Sequence, residues 1–227
     1  IEKQLPKVEK LIKAHDKKAA EFKELLKKVN AALGEAIPAR GQGLTVEQQG
    51  DLYDAHLLTM KQVIYVAKVA ESEAADASAN PYVQKLEEYV KKEGAQMITI
   101  SAKIEADIAE MEKDEAKEYL EMMGLKEAGL DRLIRAGFKL LGLQTFLTAG
   151  EMESRAWTIN IGMKAPQAAG KIHTDFERGF IKAEIVSYKD LVACGSKTAA
   201  RDKGLVRMEG KDYVMQDGDV VEFRFNV

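Results

Sequence analysis

Two short polar loops contain the residues of this 227-residue chain that are best suited to bind a ligand. The first, Lys68-Val69-Ala70-Glu71, follows the mainly apolar run 62–67, and the second, Ser101-Ala102-Lys103, follows the run 96–100. Short apolar runs are typical of buried parallel strands, and open α/β sheets bind ligands at the carboxyl ends of such strands. The pattern therefore predicts a ligand site. The alternative for the second loop is a structural helix start, with Ser101 as N-cap.

Other classes of chemical site lack their residues. The sequence contains no Gly-x-x-x-x-Gly-Lys-Ser/Thr motif to cradle phosphates and no Asp-x-x-Gly loop to sense a γ-phosphate. It also has no Gly-x-Ser-x-Gly nucleophile turn. Three scattered histidines and the single Cys194 do not supply zinc ligands at a known spacing. We therefore predict neither a catalytic residue nor a metal site.

The first 33 residues have a helical period. Apolar positions recur in alternating steps of three and four and predict one seam, formed by Leu5, Val8, Ile12, His15, Ala19, Phe22, Leu26, Val29 and Leu33. Two structures fit this seam. One is a continuous coiled-coil helix, and the other is a helical hairpin broken near Ala14-His15-Asp16, with Asp16 as N-cap. The same spacing predicts a further helical stretch over residues 46–60, with a seam formed by Val46, Gln49, Tyr53, His56 and Met60.

The middle of the chain has the pattern of a βαβ unit. Strands are predicted over 62–67 and 96–100, with an amphipathic helix over 81–93 between them. Two acidic helices are expected over roughly 104–123, and one more from about residue 129 to 141.

From residue 143 onward, short apolar runs alternate with polar turns. The predicted order is strand, strand, short helix, strand, helix and paired strands, over residues 145–148, 155–159, 167–171, 181–186, 188–193, 206–209, 213–214 and 220–225. This is the element order of a β-grasp, a small mixed sheet that clasps a helix. The alternation of Val221, Phe223 and Phe225 predicts one apolar face on the last strand.

This C-terminal block resembles the TGS domain of the YchF/Obg-like ATPase family, P-loop NTPases of the translation-factor class. The resemblance runs from about residue 129 to 227, and includes Arg155-Ala156-Trp157-Thr158-Ile159 and the turn Gln216-Asp217-Gly218-Asp219-Val220. It implies a multidomain α+β and α/β protein: a helical coiled-coil hairpin over 1–60, the C-terminal part of a P-loop-type α/β G domain over 61–142, and a β-grasp TGS domain over 143–227. Within the block, His173-Thr174-Asp175 is interpreted as a structural loop.

The two polar loops resemble the base-recognition loops of GTPase-like domains, usually Asn-Lys-x-Asp and Ser-Ala-Lys. The YchF family has Asn-x-x-Glu in the first loop and is associated with a preference for ATP over GTP. The resemblance implies base binding by Lys68, Val69, Glu71, Ser101, Ala102 and Lys103. Lys68 stands where the family has Asn. Because a lysine offers only donors, we expect base recognition to be weaker or shifted toward main-chain contacts.

The net charge of −3 is unevenly distributed. Residues 1–30 contain nine lysines against five acids, whereas residues 71–127 contain seven lysines against fifteen acids. We predict binding of ribosomes or structured RNA through Lys10, Lys13, Lys17, Lys197, Arg201, Lys203 and Arg207, since neither basic group has a matching acidic stripe nearby. The alternative is a solvated helix face and a solvated loop.

Two functions are compatible with the sequence. The resemblance implies a fragment of a ribosome-associated nucleotide-binding NTPase that uses ATP, or GTP, with Mg²⁺ in the full-length protein. Its phosphate loop would precede Ile1, so we expect this chain alone to be inactive and to hold no cofactor. The alternative is a non-enzymatic RNA- or ribosome-binding adaptor. One cysteine and no apolar run near 18 residues favour a cytoplasmic protein without a membrane partner. No DNA specificity is expected.

Overall fold

The computed structural model describes residues 1–13, 17–150 and 153–226, and the chain divides into two compact units, 1–132 and 133–227. Helices are combined with a parallel pair of strands and a mixed sheet, which confirms the α/β class expected from the sequence. The coiled coil, the partial G domain, the TGS domain and the boundaries at 60 and 142 stay predictions. No helix within the described residues is both long and apolar enough to cross a membrane.

Two helices that pack along each other begin the first unit. They are α1 (Leu5–Lys13) and α2 (Lys17–Gly34). Lys23 on α2 forms an ion pair of 2.8 Å with Glu9 on α1, although these residues would be about 21 Å apart along one continuous helix. The chain therefore folds back on itself. The proposed break at 14–16, including His15 and the Asp16 cap, lies outside the described residues.

The predicted seam provides the contact between these two helices. Its buried members are Val8, Ala19, Leu26 and Val29, and its partly buried members are Leu5, Ile12, Phe22 and Leu33. Burial of this stripe, rather than the helix propensity of its residues, is what stabilises such an amphipathic pair.

The prediction of a second helical stretch over 46–60 is wrong in its length. Only α3 (Val46–Asp51) is an α-helix there, and two single 3₁₀ turns follow it, Tyr53–Ala55 and Leu58–Met60. His56 adopts a left-handed conformation with φ of 46°, which ends the first of these turns. Val46, expected on the apolar seam, is 87% exposed, while Leu52, outside the predicted pattern, is fully buried. The Leu52 side chain therefore makes the core contact that one face of a longer helix was expected to make.

The central βαβ unit confirms the sequence prediction. Strands β1 (Ile64–Lys68) and β2 (Gln96–Ile100) are parallel and in register, and α4 (Pro81–Glu93) connects them. Asn80 caps the start of α4 through two backbone amides, and Gly94, with φ of 70°, ends it. Because the strands are parallel, the loops that follow them leave the same edge of the sheet.

Three further helices complete the predicted order: α5 (Ala102–Ala109), α6 (Lys113–Met122) and α7 (Gly129–Leu140). The carboxylate of Glu105 on α5 accepts hydrogen bonds from the amides of Gly129 and Leu130 at 2.7 and 3.0 Å. A carboxylate at a helix start satisfies amides that the helix leaves unpaired. A Cβ on Gly129 would lie 2.9 Å from this carboxylate and 3.0 Å from the Ile100 side chain, so a larger residue would require both side chains to shift. This contact fixes α5, which begins at the second polar loop.

A polar cluster links residues 37–43 to the βαβ unit. Arg40 donates two hydrogen bonds to one oxygen of Glu93, at 2.8 and 2.5 Å, and the Tyr65 hydroxyl donates to the other oxygen at 2.5 Å. The Glu93 side chain is only 10% exposed. The contact with Glu93, followed by burial, raises the pKa of Tyr65 to about 12. Charge-assisted bonds of this kind are stronger than neutral ones.

Replacing Glu93 with alanine should destabilise the first unit by about 2 kcal/mol, because Arg40 and Tyr65 would both lose their partner while staying largely covered. Glu87→Ala on the same helix is the control. Glu87 pairs with Lys91 at an exposed position, where such a pair is worth about 0.5 kcal/mol. Amide hydrogen exchange of β1 and α4 would measure both changes. Equal exchange in the two variants would contradict the prediction.

The second unit is built on a five-stranded sheet. Its strands are β3 (Leu143–Ala149), β4 (Ser154–Asn160), β5 (Phe180–Ser187), β6 (Arg207–Glu209) and β7 (Asp219–Phe225). Their order is β4-β3-β7-β5-β6, with β3 and β7 parallel and all other neighbours antiparallel. The sheet is mixed, as predicted.

Helices cover both faces of this sheet. They are α8 (Ala165–Gly170), α9 (Thr174–Arg178), α10 (Tyr188–Cys194) and α11 (Lys197–Asp202). The main core lies on the side of α8 and α9 and includes Phe146, Ile159, Ala165, Ala168, Ala169, Phe180, Ala183, Ile185, Val221 and Phe223. A smaller cluster on the other side joins Val186 and Val220 to Ala200 of α11.

Two local predictions for this unit are wrong. Residues 173–175 were expected in a structural loop, but Thr174 and Asp175 already belong to α9. His173 stays outside the helix as its N-cap, where its Nδ1 accepts a hydrogen bond from the Asp175 amide at 3.3 Å. Residues 213–214 were expected to form a strand, but only one bridge, between Val214 and Lys164, is present there. Both segments are too short for periodicity to separate a strand from a cap or turn.

Candidate nucleotide-base site and basic surfaces

The two polar loops meet at the end of the parallel strands. The Val69 amide donates to the Ile100 carbonyl at 3.0 Å, which continues the ladder between β1 and β2 by one bond. Immediately afterwards, Glu71 begins a single 3₁₀ turn and Ala102 begins α5. The predicted juxtaposition is therefore present in the structure.

The Glu71 carboxylate is held from two sides. Its Oε2 accepts from the Lys103 ammonium at 2.7 Å, and its Oε1 accepts from the Tyr119 hydroxyl at 3.1 Å. The hydrogen bond from Lys103, followed by that from Tyr119, lowers the pKa of Glu71 below its ordinary value. The carboxylate is thus ionised at neutral pH and can only accept hydrogen bonds.

The remaining predicted base-binding residues lie around this pair. Lys68 ends β1 with an exposed side chain, and within the described residues that side chain has no ion pair. Val69 packs partly against the small core of the βαβ unit. Ser101 occupies the N-cap of α5 and is buried, but its side chain makes no capping hydrogen bond. The alternative that Ser101 is a structural N-cap is therefore supported by its position and not by a hydrogen bond. Ala102 is exposed in the first turn of α5.

A base at these loops would lie on the surface. The cavity beneath the second loop, lined in part by Ser101, Ile104 and Leu125, has a volume of only about 10 Å³. That volume holds roughly one water molecule. This cavity is too small for a base, while Lys68, Ala102 and Lys103 are exposed at the edge of the sheet.

Sequence reasoning missed Tyr119 and Asp107. The Tyr119 hydroxyl comes from α6, 48 residues after Glu71, and it also lies 3.4 Å from the Asp107 carboxylate on α5. Nothing in the local pattern of an acidic helix marks one tyrosine as a neighbour of a distant loop. The contact between Tyr119 and Glu71 is apparent only from the position of α6 in the fold.

The basic surface of the first unit is described only in part. Lys10 is exposed on α1. The side chains of Lys13 and Lys17 lie outside the described residues. Lys7 is also exposed on α1 and, three residues from Lys10, shares its face of the helix.

The prediction that the C-terminal basic run has no matching acidic stripe is wrong. Glu184 on β5, whose side chain is 2% exposed, accepts from Lys197 at 3.0 Å and from Arg201 at 2.6 Å. Lys197 also pairs with Glu222 on β7 at 2.5 Å. The acids stand on neighbouring strands beneath α11, so the charges match in space although they are distant in sequence. These two cations hold α11 on the sheet.

Arg207 and Lys203, the other two C-terminal residues predicted to bind RNA, differ in whether their charge is already paired. Arg207 donates to the Tyr213 hydroxyl at 3.1 Å and lies within 3.8 Å of the Asp219 carboxylate, so its charge is already engaged. Lys203 is exposed beyond the end of α11, and within the described residues it has no ion pair. Of the C-terminal residues proposed to contact RNA, Lys203 is therefore the most available.

Comparison with known proteins identifies the family. Residues 143–226 match the family model YchF-GTPase_C, described as a protein of unknown function (DUF933). The ribosome-binding ATPase YchF of Bacillus subtilis is 52% identical over 227 residues, an alignment that covers 100% of this chain and 62% of the relative. Over its whole length, the chain matches proteins of the YchF family. It corresponds to the C-terminal part of that family, which confirms the resemblance found in the sequence.

More distant YchF relatives agree. Obg-like ATPase 1 of Caenorhabditis elegans is 38% identical over 230 residues, covering 100% of this chain and 58% of the relative. The structure of the Schizosaccharomyces pombe YchF GTPase matches with a TM-score of 0.82 and 32% identity, covering 98% of this chain and 61% of that one. The chain thus spans about 60% of the length of the YchF relatives it matches.

Proposed function

We propose that this chain supplies base recognition and ribosome contacts to a ribosome-associated, nucleotide-binding protein of the YchF family. The observation that carries the proposal is the meeting of the two loops, where Glu71 and Lys103 lie 2.7 Å apart at the carboxyl ends of parallel strands. The name of the Bacillus subtilis relative, a ribosome-binding ATPase, supports the same function.

In this proposal the Glu71 carboxylate accepts a hydrogen bond from the exocyclic amino group of adenine. The amides of Ala102 and Lys103 stand in the first turn of α5, where a helix leaves its N–H groups without internal partners, and they offer donors to the base edge. The family pattern at Glu71 favours ATP over GTP. Lys68 lies at the rim of the same edge, where its flexible cation replaces the amide that the family uses.

The proposal assigns only the base to these residues. Among the described residues, no three His, Cys, Asp or Glu side chains are grouped as ligands for an ion such as Mg²⁺. The sequence likewise contains no phosphate loop. Mg²⁺ and the triphosphate would supply the chemistry of hydrolysis in the whole protein.

Titration of the isotopically labelled chain with AMP should shift the amide signals of residues 69–71 and 101–103. We expect a dissociation constant on the order of 1 mM, since contacts to a base alone are worth roughly 4 kcal/mol. GMP should bind more weakly, and ribose 5-phosphate is the control for contacts that involve no base. Equal shifts with AMP and ribose 5-phosphate would rule out base recognition at these loops.

Two substitutions sharpen this titration. Glu71→Gln keeps the shape but removes the charge, and should weaken AMP binding by about tenfold. Lys68→Asn restores the family residue and should strengthen AMP binding by about tenfold, because a bidentate contact is worth on the order of 1–3 kcal/mol. No gain with Asn would mean that Lys68 does not limit base recognition.

A further inference from the structure

Three elements converge on one carboxylate at the proposed base site. Glu71 comes from the turn after β1, Lys103 from the first turn of α5, and Tyr119 from the middle of α6. The two donors contact different oxygens, Lys103 at Oε2 and Tyr119 at Oε1. Contacts to both oxygens fix the rotation of the carboxylate as well as its place.

We infer that Tyr119, acting together with Lys103, is a positioning residue that holds the Glu71 carboxylate in one orientation for contact with a nucleotide base. This inference rests on the proposed function, because the base is the group that the carboxylate would meet. Neither donor exhausts its oxygen. A carboxylate offers about four acceptor positions, so each oxygen retains one for an amino group.

The need for such support follows from where Glu71 lies. Its side chain is 32% exposed on a single turn that follows a strand, and a glutamate there has three rotatable bonds. Left alone, the carboxylate would adopt many rotamers, and a base would have to order it on binding. Because Tyr119 and Lys103 already hold the carboxylate, a base does not have to order it, and this cost to the affinity is avoided.

Tyr119 is better suited to this role than Lys103 alone. The Lys103 side chain is 67% exposed and flexible, whereas Tyr119 is partly buried against α5 and has only two rotatable bonds before its hydroxyl. Burial, followed by the contact with Glu71, raises the pKa of Tyr119, so the hydroxyl keeps its proton and remains a donor. The Asp107 carboxylate at 3.4 Å is the competing acceptor, and the shorter 3.1 Å contact is to Glu71.

The test is Tyr119→Phe, which removes the hydroxyl and leaves the ring. Carboxylate NMR of the whole chain would follow the pKa of Glu71, its signal being assigned by its loss in Glu71→Gln. The same samples would be titrated with AMP and with ribose 5-phosphate. Tyr82→Phe is the matched control, since Tyr82 on α4 is 80% exposed.

In Tyr119→Phe the pKa of Glu71 should rise toward its ordinary value of 4.5, and the dissociation constant for AMP should increase about threefold to tenfold. Ribose 5-phosphate binding and the Tyr82→Phe variant should be unaffected. Lys103→Met should also raise the pKa of Glu71, which provides a second variant should either one fold poorly.

The inference is overturned if the pKa of Glu71 does not change in Tyr119→Phe. It is also overturned if that pKa rises while AMP binds the variant as tightly as it binds the original chain. If the original chain binds no AMP but the pKa of Glu71 still rises in Tyr119→Phe, the proposed base recognition at these loops is wrong. The hydrogen bond from Tyr119 that positions the Glu71 carboxylate would then still be supported.

Discussion

Replacing Lys197 and Arg201 together with methionine should destabilise the C-terminal unit by about 2–4 kcal/mol at neutral pH. Methionine keeps much of the side-chain volume but removes both charges from the buried carboxylate of Glu184. Arg224, at 3.9 Å, would be the one cation left near that carboxylate among the described residues. An uncompensated buried charge costs more than its original pair contributed, so the loss should exceed that of an exposed ion pair.

The measurement can be confined to this unit. Trp157 is the only tryptophan of the chain, and it packs against the main core of the C-terminal unit. Its fluorescence during urea unfolding therefore follows this unit separately from the first one. The control is Lys189→Met with Lys203→Met, two exposed lysines without an ion pair in the described part of the chain. We expect that control to stay within about 0.5 kcal/mol of the original.

The loss should also depend on pH with a definite sign. In the original chain the hydrogen bond from Lys197, and then that from Arg201, lowers the pKa of Glu184 below its ordinary 4.5. That stabilisation is present above the unfolded pKa and is lost as the pH falls through the folded one. In the double variant, burial would raise the pKa of Glu184, so protonation would favour the folded state. The stability difference should therefore shrink from about pH 7 to about pH 4. A difference independent of pH would contradict this explanation.

The βαβ unit was predictable because its signals are local. Asn80 followed by Pro81 marks a helix start, Gly94 marks its end, and the apolar runs on either side have the length of strands. Parallel pairing then follows from the connection, since two strands joined by a helix of this length pair side by side in one direction. The neighbouring positions of the two polar loops are a consequence of that geometry.

The partners of charged residues were not predictable. Arg201 and Glu184 are 17 residues apart, and Tyr119 and Glu71 are 48 apart. These pairs form once apolar contacts have packed α11 or α6 into the fold. The apolar periodicity of a helix does not show which distant residue will then lie beside it. The sequence therefore identified which residues carry charge, but not which charges are neutralised in the fold.

The error over residues 46–60 has a different cause. Spacing alone placed Val46 and Tyr53 on one apolar seam, yet both are exposed, and Leu52 is buried with the core of α1 and α2. His56 lies in the left-handed region, which histidine adopts more readily than most residues, and it ends the 3₁₀ turn that follows α3. Over so few turns, one core contact outweighs helical periodicity.

Binding of the chain to ribosomes should weaken steeply with salt. If about four lysines contact phosphates, the affinity should fall roughly a hundredfold between 50 and 200 mM salt, with log K linear in log salt concentration. The candidate contacts are Lys7 and Lys10 on α1, with Lys203 and Lys211 in the C-terminal unit. All four are exposed, and within the described residues none forms an ion pair. Co-sedimentation over a salt series measures the slope.

Substitutions for this experiment must spare Lys197 and Arg201. Reversing their charge would expel α11 from Glu184, and a loss of ribosome binding would then report unfolding. Lys7→Gln with Lys10→Gln tests the exposed face of α1, and Lys203→Gln with Lys211→Gln tests the C-terminal unit. Each pair should reduce the salt slope by about 2, one for each lost phosphate contact.

A matched control uses lysines whose charge is already engaged. Lys27 pairs with Glu24 at 2.9 Å and Lys91 pairs with Glu87 at 3.0 Å, so replacing both with glutamine removes the same charge from the chain. Because a phosphate would have to displace an existing partner at either position, the slope should stay close to the original. If the control pair changes the slope as much as the test pairs, binding follows net charge and the two surfaces are not specific. If no binding occurs at low salt, the lysines of α1 are a solvated helix face.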